Sequence, residues 1–160
     1  MDHATRRPDV TVELERFTRA CHEQGKPVTH QRLAVYRALL ESHVHPDADS
    51  IFQQLHPGYP SLSPGTVYKT LEMLVGLGLV REVGAPGSRK RFDANRHPHH
   101  HLWCTHCHRL RDVELDGAAA VDLPKGLDFT VTDVTVQFNG ICSDCRAAGA
   151  TTQNTTGGVR

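Results

Sequence analysis

The chain has 160 residues with 38% hydrophobic content, enough core for one ordinary domain or two small ones. Its 18 basic and 18 acidic residues cancel, so bulk charge announces no nucleic-acid partner; residues 1–91 hold 12 basic against 10 acidic, and 92–160 hold 6 against 8, a weak basic bias in the N-terminal half. No apolar run approaches the roughly 20 residues that cross a bilayer, and "MDHATRRPDV" lacks the apolar segment of a secretory signal, which predicts a cytoplasmic protein with no membrane partner.

From Val10 to Glu23, Val12, Leu14, Phe17 and Ala20/Cys21 recur at helical spacing, predicting an amphipathic helix that "QGKP" ends. Thr29 is the expected N-cap of a second helix, "HQRLAVYRALLES", with Leu33, Val35/Tyr36 and Leu39/Leu40 facing inward. "ADSIFQQL" reads as a short third helix stopped by "HPGYP". Ser63 caps a fourth, "PGTVYKTLEMLVGLG", with Pro64 at its first position and Val67, Leu71, Leu74/Val75 and Leu77 apolar. Two short strands follow, "LVREVG" and "RKRFDA", joined by "APGS". Helices then a hairpin is the order of a winged helix-turn-helix; the pattern alone fits a generic small helical domain equally well.

After "NRHP", which reads as a hinge, "HHHLWC", "RLRDVEL" and "DFTVTDVTVQFNGI" read as strands, the last with Phe129, Val131, Val134/Val136 and Phe138 as buried candidates. "GAAAVDLPKG" could form only a short helix, limited by Pro124 and Gly126, and the small polar residues 146–160 predict a disordered tail.

The densest chemistry lies in "HPHHHLWCTHCHRLRD", residues 97–112. "CTHC" and "CSDC" are separated by 34 residues, each at the end of a predicted strand. Two such knuckles can bring Cys104, Cys107, Cys142 and Cys145 to one tetrahedral ion, for which Zn²⁺ is the usual occupant. With four thiolates the shell is closed, so the zinc is structural. A thioredoxin-like redox pair needs a βαβ context that is absent. If 99–104 is a strand, His99 and His101 point to one face and His100, Leu102 and Cys104 to the other, so the two imidazoles belong to a different site from the thiolates. Asp112 falls on the adjacent strand, where a carboxylate could complete that second site. His97, His106 and His108 read as exposed loop residues, and Cys21 as a small buried apolar residue. A zinc-dependent hydrolase is the competing reading, because histidines and carboxylates can activate water, but the sequence has no HExxH and no evident unligated base beside the cluster.

"HPDADSIFQQL", "SPGTVYKTLEMLVGLGLV", "RFDA", "HHHLWCTHC" and "GICSDC", in this order from about Val10 to Cys145, resemble the ferric uptake regulator (Fur) superfamily of metal-dependent bacterial repressors. The resemblance implies an α+β protein with a winged helix-turn-helix DNA-binding domain at 1–93, a hinge at 94–98, and an α/β dimerisation domain with the four-cysteine zinc at 99–145. It implies a regulatory Fe²⁺ or Mn²⁺ held by His45, Asp93, His99, His101 and Asp112, a donor set harder than thiolates, and control of the angle between the domains by that metal. Asp at 112, where iron-sensing members usually carry Glu, resembles the peroxide-sensing PerR branch. So does Val134, near the place where iron-sensing members carry a histidine for an additional site; a variant extra site involving His100 stays open. An iron- or manganese-uptake regulator without peroxide sensing is the alternative within the family. The fourth helix is the recognition element by its position before the wing. The resemblance points to Thr66, Tyr68 and Lys69 for DNA contacts, with Arg32, Arg89, Lys90 and Arg91 on phosphates. The implied partners are a second copy of the chain and a palindromic duplex operator.

Overall fold

The structure, a computed structural model, describes residues 7–85, 87–114, 126, 128–130, 134 and 136–151. It divides into two compact units, one up to His97 and one from Pro98 onward.

The first unit holds α1 (Val10–Glu23), α2 (His30–Glu41), α3 (Ala48–Leu55) and α4 (Pro64–Gly76), then β1 (Arg81–Val83) and β2 (Arg91–Asp93). Each helix starts where a side chain satisfies an orphan backbone donor. Asp9 accepts from the Thr11 and Val12 amides, Thr29 from Arg32, Asp47 from Ser50 and Ser63 from Thr66. Two helices stop at glycines in the left-handed region. Gly25 (φ 61°) and Gly78 (φ 66°) let the next amide turn back, Lys26 N–H to the Cys21 carbonyl at 2.8 Å and Leu79 N–H to Leu74 at 3.0 Å. The core gathers Phe17, Tyr36, Ile51, Leu71 and Leu74, each fully buried. Such side chains contribute about 1.5–3 kcal/mol apiece on burial.

Two expectations fail in this unit. Val12 is 49% exposed, while its neighbour Glu13 is 7% exposed and occupies the buried stripe with Phe17 and Cys21. The reason is a partner: Tyr36 donates its hydroxyl to Glu13 Oε2 at 3.1 Å, which lets a carboxylate sit where spacing asked for an apolar residue. The hairpin strands are also shorter than expected. β1 and β2 pair antiparallel over Arg81↔Asp93, Glu82↔Phe92 and Val83↔Arg91 only, because Leu79 and Val80 are buried in the helical core instead.

The second unit is a three-stranded sheet of order β4-β3-β5, with β3 at His100–Cys104, β4 at Leu110–Val113 and β5 at Gln137–Gly140. β4 is antiparallel to β3 and β5 parallel to it. Of the long last strand expected over 128–141, the described residues form strand at β5. Phe129 lies in a bend and is 80% exposed, Val134 and Phe138 are exposed and Val136 is half-buried, so these are not the buried residues that alternation suggested. Leu102 and Phe138 stand opposite each other in the ladder on one sheet face, both about 40% exposed. Val131 and most of the segment read as a short helix lie outside the described residues. A short α5 (Ser143–Ala147) follows, carrying helix two residues into the stretch read as tail; 152–160 lie outside the described residues.

Candidate metal centres

Cys104 ends β3, Cys107 sits in the turn after it, Cys142 is the N-cap of α5 and Cys145 lies one turn along that helix. Their sulfurs all lie within 4.8 Å of one another, and Cys107 Sγ is 3.8 Å from Cys142 Sγ. Four sulfurs at ~2.3 Å from one tetrahedral ion stand about 3.8 Å apart, whereas a disulfide needs about 2.05 Å. The spacing therefore fits zinc, and all five cysteines of the chain are free thiols.

Backbone bonds hold the two knuckles together. Thr105 N–H donates to Gly140 at 2.8 Å, Cys104 N–H to Arg109 at 2.9 Å, and Cys142 N–H to the Cys104 sulfur at 3.3 Å. The turn closes through His108, which takes φ 58° and donates to the Cys104 carbonyl. Amides of Cys107 and Cys142 pull the Cys104 thiol down to about 5. Cys145, hydrogen-bonded to the Cys142 sulfur and buried, is pushed up to about 12. A divalent cation removes that mutual repulsion, which is the electrostatic reason for the site to take one. Arg109 and Asp144 meet at 2.6 Å across the two arms, an exposed pair that orients more than it stabilises.

On the same sheet, His99 and His101 present Nε2 atoms 3.1 Å apart, and Asp112 Oδ1 lies 3.7 and 3.8 Å from them. The register makes this happen: Asp112 is the cross-strand partner of His101. Two imidazole nitrogens bound cis to an ion at 2.1 Å would stand about 3.0 Å apart, so these three donors fit one cation. His99 and His101 are buried. His100 turns the other way, half-buried, with Nδ1 accepting from the Val136 amide at 3.4 Å. His106 and His108 are exposed, as loop residues should be, and His97 is half-buried.

The first unit carries a second pair. His45 Nε2 lies 3.9 Å from Asp93 Oδ1, both residues buried. Arg91 donates to the His45 carbonyl at 3.0 Å and Phe92 N–H to the Pro46 carbonyl at 3.1 Å, so the loop bearing His45 is tied to the strand bearing Asp93. Asp93 Oδ1 also accepts from Asn95 N–H at 2.7 Å, and Asn95 Oδ1 from His97 N–H at 3.1 Å, which shapes the chain leaving β2.

Among the residues expected at DNA, Tyr68 and Lys69 are exposed on α4, and Thr66 is half-buried beside its cap, with Oγ1 2.9 Å from Ser63 Oγ. The cations expected on phosphates are engaged within the fold. Arg32 donates to the Pro27 carbonyl, Lys90 meets Glu82 at 3.0 Å, Arg89 meets Asp49 at 3.0 Å and Asp47 at 3.4 Å, and Arg91 holds the His45 loop. Asp47, Asp49 and Asn95 were missed as site-shaping residues; the only signal in the sequence was Asp47 as a cap before "ADS".

A winged-helix unit followed by a sheet with a four-thiolate cluster and a His/Asp cluster is the architecture of a metal-responsive transcription regulator. The pattern of the ferric uptake regulator family matches residues 23–139, and the chain belongs to that family. It is 35% identical over 136 residues to the peroxide-responsive repressor PerR of Staphylococcus aureus, covering 84% of this chain and 92% of that one. The solved peroxide stress regulator of Campylobacter jejuni shares 28% identity at a TM-score of 0.63, covering 82% and 98%. The ferric uptake regulator of Helicobacter pylori, whose structure has three functional metal-binding sites, superposes at a TM-score of 0.75 over 89% and 97% with 20% identity, a likeness of fold. In this chain the four-thiolate cluster suits a structural Zn²⁺, and the histidine and aspartate donors suit Fe²⁺ or Mn²⁺.

Proposed function

We propose that the chain is a homodimeric, peroxide-sensing repressor that binds a palindromic duplex operator in the cytoplasm when its regulatory site is loaded. The observation that carries this reading is the convergence of His99, His101 and Asp112, with donor atoms 3.1–3.8 Å apart and the shorter acid at position 112. The identity to a peroxide-responsive repressor supports it. His45 and Asp93 complete the ligand set in this reading, giving three imidazoles and two carboxylates, which suits Fe²⁺ or Mn²⁺. Cys104, Cys107, Cys142 and Cys145 hold the zinc. Residues 1–93 read DNA, 94–98 form the hinge, 99–145 dimerise and bind metal, and 146–160 are a tail.

Leu102 and Phe138 supply an open apolar face of the kind a second copy covers. Thr66, Tyr68 and Lys69 face the groove; Arg32, Lys90 and Arg91 take phosphate contacts, Arg91 while also bracing the His45 loop. A bound Fe²⁺ would supply the activation of hydrogen peroxide beside the imidazoles, with no net change in its own oxidation state, chemistry that Mn²⁺ does not supply. A ring carbon of His45 or His99 then gains one oxygen of the peroxide, its hydrogen and the second oxygen leave as water, and the imidazole provides the two electrons. The oxidised ring donates more weakly, the ligand set no longer holds, and DNA is released.

The test is DNA retention with Fe²⁺ or Mn²⁺, each with and without peroxide. Affinity that is equal with and without Mn²⁺ overturns the switch. Fe²⁺ complexes that survive peroxide as well as Mn²⁺ complexes do indicate an iron- or manganese-uptake regulator.

A further inference from the structure

The surface assigned to DNA carries an anionic feature that DNA binding by itself does not explain. Asp49, on the first turn of α3, divides its carboxylate between two elements: Oδ1 accepts from the Tyr68 hydroxyl on α4 at 3.2 Å, and Oδ2 pairs with Arg89 on the wing at 3.0 Å. Asp47 divides its own in the same way, Oδ1 capping α3 through the Ser50 amide at 2.8 Å and Oδ2 meeting Arg89 at 3.4 Å. Both contacts to Arg89 go through one nitrogen, Nη1, which leaves the rest of the guanidinium fork facing outward.

Tyr68 and Arg89 are exposed and Asp49 is half-buried, and surface ion pairs of this kind add little to folding. A carboxylate beside a phosphate backbone also opposes binding. The contribution left to Asp49 is geometric. One side chain fixes the direction of a tyrosine on the recognition helix and of an arginine on the wing, and so sets the two relative to each other.

We propose that Asp49 is a positioning residue for operator discrimination: it holds Tyr68 and Arg89 in the orientation that reads the correct duplex and gives up non-specific affinity to do so. This rests on the DNA-binding reading above. Freed from Asp49, Arg89 is available to any phosphate, and Tyr68 samples rotamers that no longer select a base step.

The test uses the full-length, zinc- and Mn²⁺-loaded protein. The probes are a duplex that the wild type selects from a randomised pool and the same duplex scrambled. Asp49→Ala is expected to bind the scrambled duplex more tightly, with a steeper salt dependence, while its preference for the selected duplex falls about tenfold, the scale of one mismatched base pair. Asp49→Asn keeps one acceptor oxygen and falls between. Tyr68→Phe lowers the preference in the wild-type background and adds nothing to Asp49→Ala. An Asp49→Ala protein that keeps the wild-type preference, or loses affinity for both duplexes equally with a lowered Tm, overturns the proposal. Wild-type protein that selects no duplex removes the DNA-binding reading and this inference with it.

Discussion

Asp112 stands opposite His101 in the β3–β4 ladder, its Oδ1 3.8 Å from the imidazole Nε2. The sheet fixes that register, so only side-chain length sets how far the carboxylate reaches toward the His99/His101 pair. Glutamate would add one methylene and change how an ion is held without removing a donor. Asp112→Glu is expected to keep metal-dependent DNA binding and lose much of the peroxide response, measured as operator retention before and after peroxide on Fe²⁺-loaded protein. An unchanged peroxide response would show that reach at position 112 does not matter.

Zinc and the dimer should depend on the four thiolates together. Cys104→Ser or Cys142→Ser is expected to lose both, because metal binding at such a site is folding energy; metal analysis and sedimentation check this, and a stable, zinc-free dimer would contradict it. Protons compete with the ion for sulfur. Zinc is therefore held at neutral pH and released in the acid range, where the thiolates take up protons. The stability that zinc confers is present above that range and lost within it, which thermal melts across pH will read.

His45 is tied to β2 through its own carbonyl and that of Pro46, so its side chain can be removed without loosening the loop. His45→Ala is expected to retain zinc and the dimer while abolishing Mn²⁺-activated DNA binding. Metal analysis and a binding titration with and without Mn²⁺ separate the two effects.

The Tyr36–Glu13 hydrogen bond should be structural. Burial, with the charge and hydrogen bond of Glu13, raises the pKa of Tyr36 well above the ordinary phenol value, so the hydroxyl remains a donor throughout the physiological range. Tyr36→Phe leaves the buried carboxylate without that donor and is expected to cost about 1–3 kcal/mol, read by urea unfolding. Tyr36→Phe combined with Glu13→Gln should recover part of the loss.

Helix boundaries were legible because caps and stops are local chemistry: Thr29, Ser63 and Pro64 mark starts, and Gly25 and Gly78 enforce stops. The knuckles were legible because spacing alone brings thiolates together. Glu13 in the core was not, since its burial depends on a tyrosine 23 residues away. The last strand misled for a different reason: alternation marks which residues would share a face but not whether that face is buried, and Phe129, in a bend, and Phe138, on β5, are both exposed. The pairing of wing cations with Asp47, Asp49 and Glu82 was equally hidden, because it joins residues up to 42 positions apart.

The peroxide reading is tested most directly by peptide mass spectrometry after brief, low-dose hydrogen peroxide on protein loaded with Fe²⁺ or with Mn²⁺. One added oxygen on the peptide containing His45 or His99, with Fe²⁺ and not with Mn²⁺, is the expected result. Oxidation that appears equally with Mn²⁺, or only at Cys21 or the four zinc cysteines, would contradict it.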